Sequence, residues 1–128
     1  MMHAIKKSYI IDTSLEEVWK ALIDPKYIEG WGGGPSEMDG KVGSSFTLWG
    51  GKFFGKNTAV VHEKKLVQDW YGGKWEEPSQ VVFTLQEKNG KTQLDLIHTH
   101  VPEKERKSID SGWDEYYFGP LKTFLEEK

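Results

Sequence analysis

The sequence predicts an α+β fold: a curved antiparallel sheet of about six strands around a long C-terminal helix, with two short helices near the N-terminus. Three observations predict it. The closing segment GWDEYYFGPLKTFLEEK, Gly112 to Lys128, is the one long stretch with a clear helical period, and it carries five aromatic residues. From Gly43 to Thr99 apolar residues alternate instead, in short runs separated by glycine, proline and asparagine. Ahead of that meander, Leu15, Val18, Trp19, Leu22 and Ile23 recur at three- and four-residue spacing. So aromatic a helix must lie on a large apolar surface, and a sheet curled around it buries both faces.

In chain order, Ile5 to Asp12 alternates loosely around Tyr9, Ile10 and Ile11 and reads as a first strand. Thr13 or Ser14 offers an N-cap, with Glu16 or Glu17 as capping-box partner. The helix this opens ends at Asp24–Pro25, because the residue before proline disfavours helix. Pro25 can begin a second short helix through Tyr27, Ile28 and Trp31. Gly32-Gly33-Gly34-Pro35 then breaks the chain; it lacks the lysine and hydroxyl of a phosphate loop, and reads as a connector or as a gate beside a pocket mouth.

Strands are expected at Phe46–Trp49, Phe53–Glu63, Leu66–Tyr71, Gln80–Glu87 and Lys91–Thr99. Asn89–Gly90 between the last two is a type I′ hairpin signature. Across that hairpin Val81, Phe83 and Leu85 share a face with Leu94, Leu96, His98 and His100. Glu103 to Ile109 reads as a weak helix before the final one. At about 100° per residue, Trp113, Tyr117, Pro120, Leu121 and Phe124 form the apolar face of the final helix, with Tyr116, Phe118 and Leu125 on its borders. Gly119–Pro120 should bend it, since proline removes an amide donor and clashes one turn back.

Composition narrows the function. A chain of 128 residues favours one domain over 1–128. With no cysteine there are no disulfides, no thiolate catalysis and no cysteine-ligated metal. Net charge is −3, from 17 basic and 20 acidic residues, and the lysines never gather into a stripe, so no nucleic-acid partner is expected. No apolar run approaches the roughly 20 residues of a membrane span, and no signal peptide is apparent. These absences set the expectation of a cytoplasmic protein; oligomeric state has no signature here.

Candidate chemistry is sparse. His98 and His100 share strand parity with Leu94 and Leu96, and so read as satisfied core histidines or as a polar patch in a ligand pocket. A metal pair would need a third ligand from His62, Glu63 or Asp69, none fixed by spacing. Glu76–Glu77 reads as solvated loop charge and His3 as a surface residue. There is no G-x-S-x-G elbow and no dinucleotide fingerprint, so no catalytic residue, metal or cofactor is assigned. Trp49, Trp70, Trp75 and Trp113, with Phe46, Phe54, Phe83, Tyr116 and Tyr117, suit either a packed aromatic core or a mainly apolar cavity. The candidate lining of such a cavity is Trp31, Phe46, Phe54, Trp70, Trp75, Phe83, His98, His100, Trp113, Tyr116 and Tyr117.

Quoted in order, several segments resemble one family: VWKAL from Val18 with Asp24–Pro25, Trp31, GSSF from Gly43, Gly55, and KKLVQDW from Lys64. SQVVFTL from Ser79, GKTQLDLIH from Gly90, Val101–Pro102 and GWDEYYFGPLK from Gly112 continue the series. Over nearly its whole length the chain is similar to the C-terminal domain of the activators of the Hsp90 ATPase, within the START-like or Bet v 1-like superfamily. The resemblance implies a helix-grip fold of six or seven strands. It also implies either a stand-alone, non-enzymatic binder of a hydrophobic or aromatic small molecule, or an accessory domain of an Hsp90-type chaperone. The wider superfamily adds a cyclase- or hydrolase-type enzyme using His98 or His100 as a third expectation. The family offers no catalytic set to carry over.

Overall fold

Six antiparallel strands form one sheet in the computed structural model, which describes residues 4–127. His3 lies outside the described residues. Strand β1 (Ile5–Ile11) occupies one edge, and α1 (Leu15–Ile23) and α2 (Pro25–Trp31) carry the chain to the other. There β2 (Ser45–Leu48), β3 (Phe53–Val61), β4 (Lys65–Gly72), β5 (Ser79–Lys88) and β6 (Lys91–Thr99) return strand by strand, in the spatial order β1-β6-β5-β4-β3-β2. Local chemistry sets the joints. Ser14 caps α1 by accepting from the Glu17 amide at 3.2 Å. Asp24 ends α1 and caps α2 by accepting from Lys26 N–H. Asn89 and Gly90 both take positive φ, so Lys88 pairs with Lys91 and the hairpin closes in register.

That register places Val81 opposite His98, Phe83 opposite Leu96 and Leu85 opposite Leu94, all facing the core. In β3 the pairing shifts between Asn57 and Ala59, a bulge that bends the strand. Nearby, a Cβ on Gly55 would fall 1.7 Å from the Asp69 carbonyl oxygen, so only glycine permits this approach of β3 to β4. The Gly32–Pro35 stretch is a connector tied to the turn after β2: Trp49 N–H donates to Gly33 O and Gly50 N–H to Pro35 O.

The closing helix begins earlier than its aromatic pattern suggests. A 3-10 turn at Glu103–Glu105 leads into α3 (Arg106–Gly112), which runs through a wide π turn (Trp113–Phe118) into α4 (Gly119–Glu126). In the π turn Gly119 N–H reaches back five residues to Asp114 O. The widening accommodates Pro120, whose ring would strike the carbonyl four residues back in a regular α-helix. One extra residue in the turn also rotates the rest of the helix by about 100°. The buried face is therefore Trp113, Tyr117, Phe118, Leu121 and Leu125, while Phe124 and Pro120 are half-buried and Tyr116 is exposed.

Polar ties hold this helix against β1. Lys7 donates to Asp110 and, at 2.8 Å, to Asp114, which also accepts from the Tyr9 hydroxyl. Burial disfavours the Lys7 charge, but the hydrogen bonds and charges of the two aspartates outweigh it and hold its pKa above the ordinary value. At the other end Lys122 donates to Ile10 O and to Glu126, and Glu126 accepts from Asp12 N–H.

Candidate binding cleft

The space between sheet and helix is divided. Beneath Tyr117 it is solid: six rings (Trp31, Trp49, Trp70, Phe83, Trp113 and Phe118) have centroids 4.5–6.3 Å from that of Tyr117. Burial drives the Tyr117 phenol well above its ordinary pKa. Toward α3 the packing opens into a cleft of about 510 Å³. Trp49, Lys52 and Phe53 from the β2–β3 connection and Trp70 of β4 line one side. Glu105, Ser108, Ile109, Gly112, Trp113 and Tyr116 line the other.

Two buried hydrogen-bond chains aim the central indoles. Trp113 Nε1–H donates to His98 Nδ1 at 3.0 Å, and His98 Nε2 lies 2.7 Å from Ser79 Oγ. With Nδ1 accepting, the proton of a neutral ring sits on Nε2 and is donated to Ser79, whose hydroxyl in turn points to Trp70 O at 3.4 Å. Desolvation pushes the His98 pKa down to about 3, so the ring stays neutral at physiological pH. Trp70 Nε1–H donates to Gln68 Oε1 at 2.8 Å; Gln68 donates to Asn57 Oδ1, and Asn57 to the carbonyls of Asp39 and Lys41. Both indoles thus direct their donors into the protein and turn carbon surface toward the cleft.

The structure brings three of the eleven sequence candidates, Trp70, Trp113 and Tyr116, into the lining. Trp31, Phe46, Phe83 and Tyr117 belong to the packed core, and His98 stands behind Trp70 and Trp113. Trp75 sits beside the cleft, edge-on to Phe53, and donates its indole N–H to Glu105. Phe54 and His100 lie elsewhere. Phe54 is on the outer face, 40% exposed and stacked on Tyr71, because its neighbour Phe53 takes the inward position. The parity argument for His100 fails because β6 ends at Thr99: His100 has φ 63° and is exposed. Sequence reasoning passed over Phe53 and the α3 residues. The usable signal was Gly55, whose pairing with Trp70 fixes Phe53, not Phe54, as inward.

Among the described residues no three histidine, aspartate or glutamate side chains gather as a metal site. His62 instead lies 3.4 Å from Glu63 and edge-on to Trp19. With both ring nitrogens of His98 engaged inside the protein, it is not poised to exchange a proton with a bound molecule. No helix among the described residues is long and apolar enough to cross a membrane.

A bent antiparallel sheet gripping a C-terminal helix, with two short helices bridging its edges, defines the helix-grip class. Within it, the chain belongs to the Activator of Hsp90 ATPase homolog 1-like family, whose model matches residues 12–126. The human activator of 90 kDa heat shock protein ATPase homolog 1 is 27% identical over 120 residues, 92% of this chain and 35% of that protein. The chain spans 35–36% of the length of the curated relatives it matches. Solved structures that share the fold include two named for this activity. An HSP90 activator from Plasmodium falciparum superposes with a TM-score of 0.86 at 23% identity, over 95% of each chain. An Aha1 dimer from Colwellia psychrerythraea gives 0.83 at 22%, covering 98% of this chain and 97% of that one.

Proposed function

We propose that this chain, as a single domain over 1–128, is an accessory domain of an Hsp90-type chaperone that docks on the chaperone and alters its ATP hydrolysis in the cytoplasm. The observation that carries the reading is the family match over residues 12–126, together with a curated human relative named for ATPase activation. Calorimetric titration against the Hsp90-type protein of the same organism should give saturable binding, and the chaperone's ATP turnover should change when the chain is added. Absence of both heat and any change in turnover would remove the reading.

The cleft favours a second reading, binding of an apolar or aromatic small molecule without chemical conversion. Its 510 Å³ falls within the roughly 300–1,000 Å³ of ligand pockets, and its walls are chiefly aromatic. Binding there does not exclude docking on a chaperone.

A further inference from the structure

We propose that the cleft binds a flat aromatic molecule carrying an anionic group, with Gly112 keeping the space open and Lys52 pairing the anion. The proposal rests on the small-molecule reading. Gly112 is helical, with φ −62° and ψ −35°, a conformation any residue adopts. A Cβ built on it meets only the Tyr116 ring, at 3.9 Å. Neither backbone geometry nor crowding calls for glycine there, although glycine is the poorest helix former after proline. What a side chain at 112 would do is occupy the cleft that Gly112 lines.

Facing Gly112, the sheet-side wall is a continuous run of rings that meets the helix at Trp113. Centroids lie 5.8 Å apart for Trp49–Phe53, 5.4 Å for Phe53–Trp70 and 5.0 Å for Trp70–Trp113. The indole N–H groups of Trp70 and Trp113 point away, to Gln68 and His98. Ring faces and edges therefore meet the ligand, which suits a flat π system more than a flexible chain.

Charge supplies the second feature. Two charged side chains line the cleft, Lys52 and Glu105. Glu105 already accepts from Trp75 Nε1–H. Lys52 makes no side-chain hydrogen bond or ion pair among the described residues and stands exposed beside Phe53. Of the two, the Lys52 ammonium is the one left without a hydrogen-bond partner, so an anionic acceptor on the ligand is its complement.

The test uses the full chain and two probes of one shape, the anionic 8-anilinonaphthalene-1-sulfonate and the neutral N-phenyl-1-naphthylamine, read by fluorescence and calorimetry. Both should bind one to one. Gly112→Leu should weaken both by at least roughly tenfold while near-ultraviolet dichroism is kept, and Gly112→Ala should weaken them little. Gly112→Met fills the same space with a more flexible chain and replaces the leucine variant if that one folds poorly. Lys52→Met should weaken the sulfonate roughly fivefold and leave the amine unchanged. If Gly112→Leu blocks both probes but Lys52→Met changes neither, the anion assignment is overturned and the small-molecule reading stands. If neither probe binds, or both bind the leucine variant as well as the wild type, both fall.

Discussion

His98 is a buried histidine kept neutral by desolvation, with an Nδ1 that can accept from Trp113 only while unprotonated, and that state has a measurable consequence. Its folded pKa, about 3, lies below the 6.5 of an ordinary histidine. Between those values the unfolded chain binds the extra proton and the folded one does not, so stability rises with pH. The contribution is fully present above pH 6.5 and is lost as pH falls toward 3, by at most about 1.4 kcal/mol per pH unit. Urea midpoints should drop between pH 7.5 and 5. His98→Gln, whose amide keeps an acceptor for Trp113, should lower stability at neutral pH by about 1–2 kcal/mol and flatten the slope by most of one proton. An identical pH slope in wild type and variant would contradict this account.

At the scale of elements, the closing helix offers the same substitution at two places with opposite signs. Gly119 stands in the π turn, where a Cβ would lie 2.5 Å from the Asp114 carbonyl oxygen. Gly119→Ala must distort that turn and should cost about 1–3 kcal/mol. Gly112→Ala meets no crowding and should gain about 0.5–1 kcal/mol from helix propensity. Denaturant midpoints at constant slope decide the matter, and a stabilised Gly119→Ala would refute the π turn.

This helix also marks the limit of what sequence patterns convey. The β5–β6 register was legible because alternation and the Asn89–Gly90 turn agree, and Ser14 and Asp24–Pro25 announced the N-terminal helices. The π turn was not, because one five-residue hydrogen bond leaves composition unchanged while rotating everything after it. Gly119–Pro120 signalled a disturbance without its kind. The cleft was legible only in part. Trp70, Trp113 and Tyr116 stood out as aromatics, but Ile109 and Gly112 acquire a role only when α3 crosses the β2–β3 end of the sheet.

The molecule as a whole has a solid half and an open half, and they should differ in dynamics. Leu121 and Leu125 of α4 are buried, joined by Phe118 from the π turn, whereas α3 buries none of its residues. The helix end over the cleft is held by polar ties, Lys7 to Asp110 and Asp114 on one side and Trp75 to Glu105 on the other. Few buried apolar contacts and a solvent-exposed backbone mark a segment that opens locally before the rest unfolds. Amides of α3 should therefore exchange hydrogen faster than those of α4, β5 and β6, whose exchange should track global unfolding. Lys7→Met removes the half-buried cation between two carboxylates and should speed α3 exchange on the order of tenfold, leaving α4 nearly unchanged. A ligand in the cleft bridges α3 to the aromatic wall and should slow the same amides. Chaperone docking away from the cleft has no reason to protect them selectively. Uniform protection along the helix from Arg106 to Glu126, in wild type and Lys7→Met alike, would show that the two halves open as one.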